Sequence, residues 1–172
     1  MVMASEGRGM RLLRHVVTDH AAVRRAFSSR DLSRVEAAIA EGEQGHRGQV
    51  CVAIEGALPA SRVLKHMRPR ERSLEVFGLL RVWDTEENCG VLVYLLLADR
   101  DVEIVADRGI HRIVGDAAWQ AVCTRMEAAF REGRFADGMV AGVGEISALL
   151  AEHFPRTGAT GANEISDRPV LL

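Results

Sequence analysis

The chain has 172 residues, 48% hydrophobic and 27% charged, with a formal net charge of −2. That profile fits one soluble globular domain with its own core and argues against a disordered segment. The near-neutral balance supplies no overall field that would draw in nucleic acid or an anionic membrane. The three cysteines, Cys51, Cys89 and Cys123, are far apart and form no C-x-x-C pair, so neither a zinc site nor a disulfide framework is expected.

The opening "MVMASEGRGMRLLRHVV" is interrupted repeatedly by arginine and lacks the apolar stretch of a signal peptide. The longest apolar run, Val91 to Ala98, is far short of the roughly 20 residues that span a bilayer, so no membrane insertion and a cytoplasmic location are expected. Residues 1–28 read as a basic, weakly structured segment with one helical turn near Ala21 to Phe27. Residues 29–155 read as the domain proper. Leu32, Val35 and Ile39 share one helical face, with Asp31 or Ser33 placed to cap it. Gln49 to Ile54 is a β-branched first strand. Helices are expected over Ala60 to Met67 and over Pro69 to Trp83, the second turning Val76, Leu79, Leu80 and Trp83 toward a sheet.

Val91 to Ala98 is apolar almost throughout, the pattern of a strand covered on both faces. Asp99-Arg100 reads as a two-residue hairpin link into a third strand, Asp101 to Ala106. Trp119, Val122, Cys123, Met126, Ala129 and Phe130 form a helical stripe, with Asp116 at its start as a cap. A last helix covers about Ala136 to His153, and residues 156–172 are expected to pack back irregularly as a tail. The helical crossover makes the first two strands parallel, and the hairpin makes the third antiparallel. The fold class is therefore α/β, a three-layer sandwich around a small mixed sheet with a Rossmann-like crossover.

No G-x-x-x-x-G-K-[ST], G-x-G-x-x-G, G-x-S-x-G or H-E-x-x-H occurs, so no nucleotide cofactor is expected. The six histidines are dispersed. Acids are better placed. Glu41 and Glu43 precede the first strand, Asp84, Glu86 and Glu87 precede the second, and Asp107 follows the third. The antiparallel return puts all of these at one edge of the sheet. Asp84, Asn88, Asp107 and Glu43 would suit a hard cation, calcium or magnesium, and Arg108 with Gly109 could receive a phosphate or other anion. The alternative is that these acids are solvated or cap helices. Cys89, at a turn-to-strand junction, could be a redox-sensitive or nucleophilic thiol.

Several motifs stand in order: "EGEQGHRGQVCVAIE", "TEENCG" before an apolar strand, "VEIVADRGIH", the tryptophan helix, "FREGRFADG" and "HFP" with "NEISDRPVLL". Together they resemble the TPM domain family over about residues 30–172, its small stand-alone bacterial members above all. The resemblance implies an α/β/α sandwich and two competing roles. One is an interaction or accessory module serving a membrane-associated protein partner. The other is a calcium- or magnesium-dependent, acid-phosphatase-like hydrolase of phosphomonoesters. The chain departs from the family pattern in two places. Asn88-Cys89 stands where an asparagine pair is usual, and only Gly109 and Gly115 remain of a glycine-rich segment.

Overall fold

The computed structural model describes residues 7–158 and 163–172. In chain order these form α1 (Arg8–Val17), α2 (His20–Ala26), α3 (Ser29–Gly42), β1 (Gln49–Glu55), α4 (Ala60–Leu64) and α5 (Pro69–Leu79). They continue with β2 (Gly90–Leu96), β3 (Asp101–Ala106), α6 (Arg108–Val114), α7 (Asp116–Arg131), α8 (Phe135–His153) and β4 (Val170–Leu171). The strands lie in the order β3-β2-β1-β4. β1 and β2 run parallel, with Val50 opposite Val91, and β3 returns antiparallel, with Ile104 opposite Val93.

Both central strands are buried along their whole length, as β-branched and apolar runs are when helices cover both faces. Val50, Val52, Ile54, Val91, Val93 and Leu95 pack with Val35 and Ile39 of α3, Trp119 and Phe130 of α7, and Met139 and Ile146 of α8. The opposite face, Cys51, Ala53, Leu92, Tyr94 and Leu96, packs with Leu58, Val63 of α4 and Val76 of α5. The result is the three-layer α/β sandwich expected from the sequence.

Local pattern misjudges several joints. The segment before residue 28 carries two helices rather than one turn, because distant charge docks the first of them. Arg11 Nη2 lies 2.8 Å from Asp99 Oδ2, and His15 Nε2 lies 3.1 Å from Asp99 Oδ1. His15 Nδ1 accepts the Leu58 N–H at 2.9 Å. Burial alone would raise the Asp99 carboxyl, but hydrogen bonds from His15 and Arg11 outweigh it and hold the group at about 2. The link between β2 and β3 spans residues 97–100 rather than two, since Leu96 still pairs with Asp101 and the reversal falls on Arg100 at φ +52°.

α5 stops at Leu79, and Arg81 follows in the left-handed region at φ +54°. Val76 therefore faces the core, whereas Leu79 and Trp83 are exposed. The cap of α3 is Ser28 in a reciprocal capping box with Asp31, rather than Asp31 or Ser33. Asp116 caps nothing: Gly115, at φ +82°, leads into α7, and Asp116 Oδ1 sits 3.2 Å from His111 Nε2. The tail adds a fourth strand, with Val170 opposite Ala53 and the Leu172 N–H donating to Ile54 O at 2.9 Å. Residues 159–162 of the expected irregular tail lie outside the described residues.

Candidate functional site

The N-terminal ends of β1 and β2 and the C-terminal end of β3 meet at one edge. Asp107 is tied there to the first residue of β2. Its N–H donates to Gly90 O at 2.9 Å, and its Oδ2 accepts the Gly90 N–H at 2.8 Å. Although Asp107 immediately precedes α6, its carboxylate does not cap that helix. Burial pushes its carboxyl above the usual range, against a smaller opposing pull from the Gly90 hydrogen bond.

The turn before β2 is built the same way. The Asn88 N–H donates to Thr85 O at 3.1 Å and the Cys89 N–H to Thr85 Oγ1 at 2.9 Å. Asn88 takes φ +51°, a left-handed position that asparagine tolerates better than most residues. Asp84 sits on the surface in an ion pair with Arg81 at 2.6 Å. Glu43 is buried and accepts the Val50 N–H at 2.8 Å, tying the end of α3 to β1. Glu87 pairs with Arg47 at 2.7 Å.

The fold brings Asn88, Asp107 and Glu43 to this common edge, as the hairpin argument predicts, but it gives each a local task. Among the described residues, no three acids, histidines or cysteines converge as a metal ion requires. Asp84, Asp107 and Glu43 are thus not drawn together around one point. Arg108 is exposed on the first turn of α6, beside a groove of about 480 Å³ shared with Arg70, Leu74, Val105, Ala106, His111 and Arg112. Gly109 is also exposed, and a methyl there would meet nothing within 4 Å, so no close backbone approach explains that glycine. Cys89 donates its thiol to Arg47 O at 3.1 Å. Burial raises that thiol further from its reactive form, and the charges of Glu87, Glu164 and Asp107 add to the shift. A nucleophilic Cys89 is disfavoured on both counts.

Residues that sequence reasoning left out complete this edge, most of them from the tail. Gln49 Oε1 accepts the N–H groups of Glu164 at 2.8 Å and Ile165 at 3.2 Å. Glu164 Oε2 in turn accepts the Glu86 N–H at 2.9 Å. Arg156 donates to Glu43 O at 2.6 Å and to His46 O at 3.2 Å. The string "NEISDRPVLL" is visible in the sequence as a motif, but nothing local says which strand end it will cover.

A model of the TPM domain matches residues 17–149, well over half of the chain. The chain belongs to the TPM domain family. Four solved chains match it in structure. One is the solution structure of the BA42 protein from the psychrophilic bacterium Bizionia argentinensis. It superposes with a TM-score of 0.74 at 23% identity, covering 84% of this chain and 94% of that one, a likeness of fold. No curated protein matches significantly. In this TPM domain the family-like strings "TEENCG" and "VEIVADRGIH" are thus the two halves of one hydrogen-bonded joint, Gly90 with Asp107.

Glu43 provides a pH test of that edge. Burial raises its carboxyl from the ordinary 4.5 to about 7, while the Val50 N–H and Arg156 pull it down and Asp167 pushes it up. With the folded value above the unfolded one, the stability held by neutral Glu43 is full below the ordinary carboxylate range. It is lost as pH rises through about 7. Asp101, also raised by burial to about 7, contributes a slope of the same sign. Glu43→Gln, which keeps an acceptor for Val50, is expected to flatten the decline in unfolding free energy between about pH 5 and pH 8. Urea melts across that window check it, and an unchanged slope would show that Glu43 is ionised in the folded protein.

Proposed function

We propose that this TPM domain is an interaction module whose acid-rich sheet edge is a braced surface for a membrane-associated protein partner. The observation that carries the reading is the commitment of every acid offered as a cation ligand. Asp107 holds Gly90, Glu43 holds Val50 and Asp84 holds Arg81. In each case one carboxylate oxygen is held by a backbone donor or a guanidinium, so that bond, and not a ligand, sets the orientation of the group, and only its remaining lone pairs are open to a cation. A cation-dependent phosphatase is the second reading, favoured by the meeting of Asn88, Asp107 and Glu43 at one edge of the sheet.

Calorimetric titration with calcium and with magnesium, paired with turnover of a phosphomonoester such as p-nitrophenyl phosphate, separates the two. The module reading expects no stoichiometric heat up to millimolar metal and no turnover above buffer. Saturable binding together with turnover that Asp107→Asn abolishes would establish the phosphatase instead.

A further inference from the structure

α1 is docked inside out. Its charged side turns inward, with Arg11, Arg14 and His15 gathered on Asp99. Its apolar side turns outward: Met10 is 56% exposed, Leu13 55%, Val16 66% and Val17 63%. Met10, Leu13 and Val17 follow i, i+3, i+7 spacing, so they form one continuous stripe along the helix. Large apolar side chains left open in a row mark a contact surface rather than a scatter of ordinary surface residues.

The charge around the stripe is as one-sided as its polarity. Residues 8–26 contain five arginines and a single acid, Asp19; Arg11 and Arg14 of these turn inward onto Asp99. Beside the stripe lies a cleft of about 400 Å³ at the C-terminal end of β2, where Leu97 and Ala98 form part of its wall. Val17 and Thr18 line it together with Arg14, Arg25 and Arg100, and no carboxylate does. Arg14 is engaged with Asp99 at 3.3 Å. Arg25 reaches Asp19 only at 3.8 Å, and the Arg100 guanidinium donates at 3.4 Å to Arg131 O. The guanidiniums of Arg25 and Arg100 are thus held loosely next to an open apolar row. Carboxyl ends of parallel strands are also where crevices form in α/β sheets.

We propose that the α1–α2 face docks on an anionic lipid bilayer, with Met10, Leu13 and Val17 entering the interface and Arg25 and Arg100 meeting lipid phosphates. The apolar row and the cations together match an interfacial helix, which lies in the plane of the membrane rather than crossing it. Among the described residues no helix is long and apolar enough to cross. Most of α1 lies before residue 17, where the family match begins, whereas Val17, Arg25 and Arg100 lie within it. The face is at the opposite end of the sheet from Asp107 and Gly90 and stands whether or not that edge binds a partner.

Co-sedimentation of the full chain with vesicles tests it. Binding is expected to vesicles of mixed phosphatidylglycerol and phosphatidylcholine, to weaken with salt, and to be absent with phosphatidylcholine alone. Arg25→Ala with Arg100→Ala is expected to weaken binding roughly 30-fold, and Leu13→Glu with Val17→Glu to abolish it. These side chains are exposed or lie at the rim of the cleft, so circular dichroism should show each variant folded. Absent binding to anionic vesicles, equal binding to both vesicle types, or undiminished binding by the double arginine variant would overturn the proposal. So would a solution dimer that the Leu13→Glu variant dissolves, since the stripe would then be an interface between copies.

Discussion

Replacing Glu55 with alanine is expected to lower the unfolding free energy by about 3–5 kcal/mol, read from urea denaturation at neutral pH. Glu55 is the last residue of β1 and is 7% exposed. Its Oε2 accepts the Tyr94 hydroxyl at 2.6 Å and Arg72 Nε at 2.8 Å, and its Oε1 accepts Arg72 Nη2 at 3.1 Å. One carboxylate therefore ties β1 to β2 and to α5. Burial, reinforced by Glu55, pushes the Tyr94 phenol well above its ordinary range, and the hydrogen bond to Glu55 raises the Arg72 guanidinium. Removing Glu55 strands the buried Tyr94 hydroxyl and leaves the largely buried Arg72 guanidinium with its Glu75 pair at 2.9 Å and a gap where the Glu55 carboxylate stood. Tyr94→Phe, which removes a donor and strands only part of an acceptor, is expected to cost about 1 kcal/mol. The double variant should cost less than the two losses summed, because the members share one network. A loss below 1 kcal/mol for Glu55→Ala would mean that water replaces the carboxylate and the site is wetter than its burial implies.

That network also shows what could be read in the chain and what could not. The nearly continuous apolar run of β2 and the β-branched residues of β1 announce strands covered on both faces, and the crossover and the hairpin fix their directions. Tyr94 and Glu55 interrupt those runs, and only the register, with Ala53 opposite Tyr94, makes them neighbours. α1 was unreadable for the same reason. Its helix is held by Asp99, more than eighty positions away, and its outward apolar row contradicts the usual rule that such a stripe marks the buried side.

At the candidate site the sequence placed Asp107 correctly beside the turn before β2. It could not say whether the carboxylate would face a ligand or a backbone donor, because that depends on where the Gly90 N–H points once the strands are paired. Glu164, Gln49 and Arg156 were missed because tail and strand meet only after a two-residue strand, β4, closes the sheet. A run that short carries no periodicity.

Gly90→Ala is expected to destabilise the protein by about 3 kcal/mol or more, by overpacking and by lost hydrogen bonds together. A methyl on Gly90 would fall 1.9 Å from Val82 O and 2.9 Å from Val82 C. Those are backbone atoms, which cannot swing aside as the tip of a side chain can. Nor can Gly90 retreat, since its N–H and its carbonyl are both held by Asp107. Moving the start of β2 would release the Asp107 carboxylate into a half-buried space and open the joint that defines the site. Gly109→Ala is the matched control. It lies in α6 with open space around it, so alanine should be neutral or stabilising by up to about 1 kcal/mol. Thermal melts of the two variants decide between roles for the glycines. A large loss at Gly90 with none at Gly109 makes the first a packing requirement of the Asp107 joint. A loss of similar size at Gly109 would mean that the first turn of α6 has a close neighbour in place of the open space around that glycine.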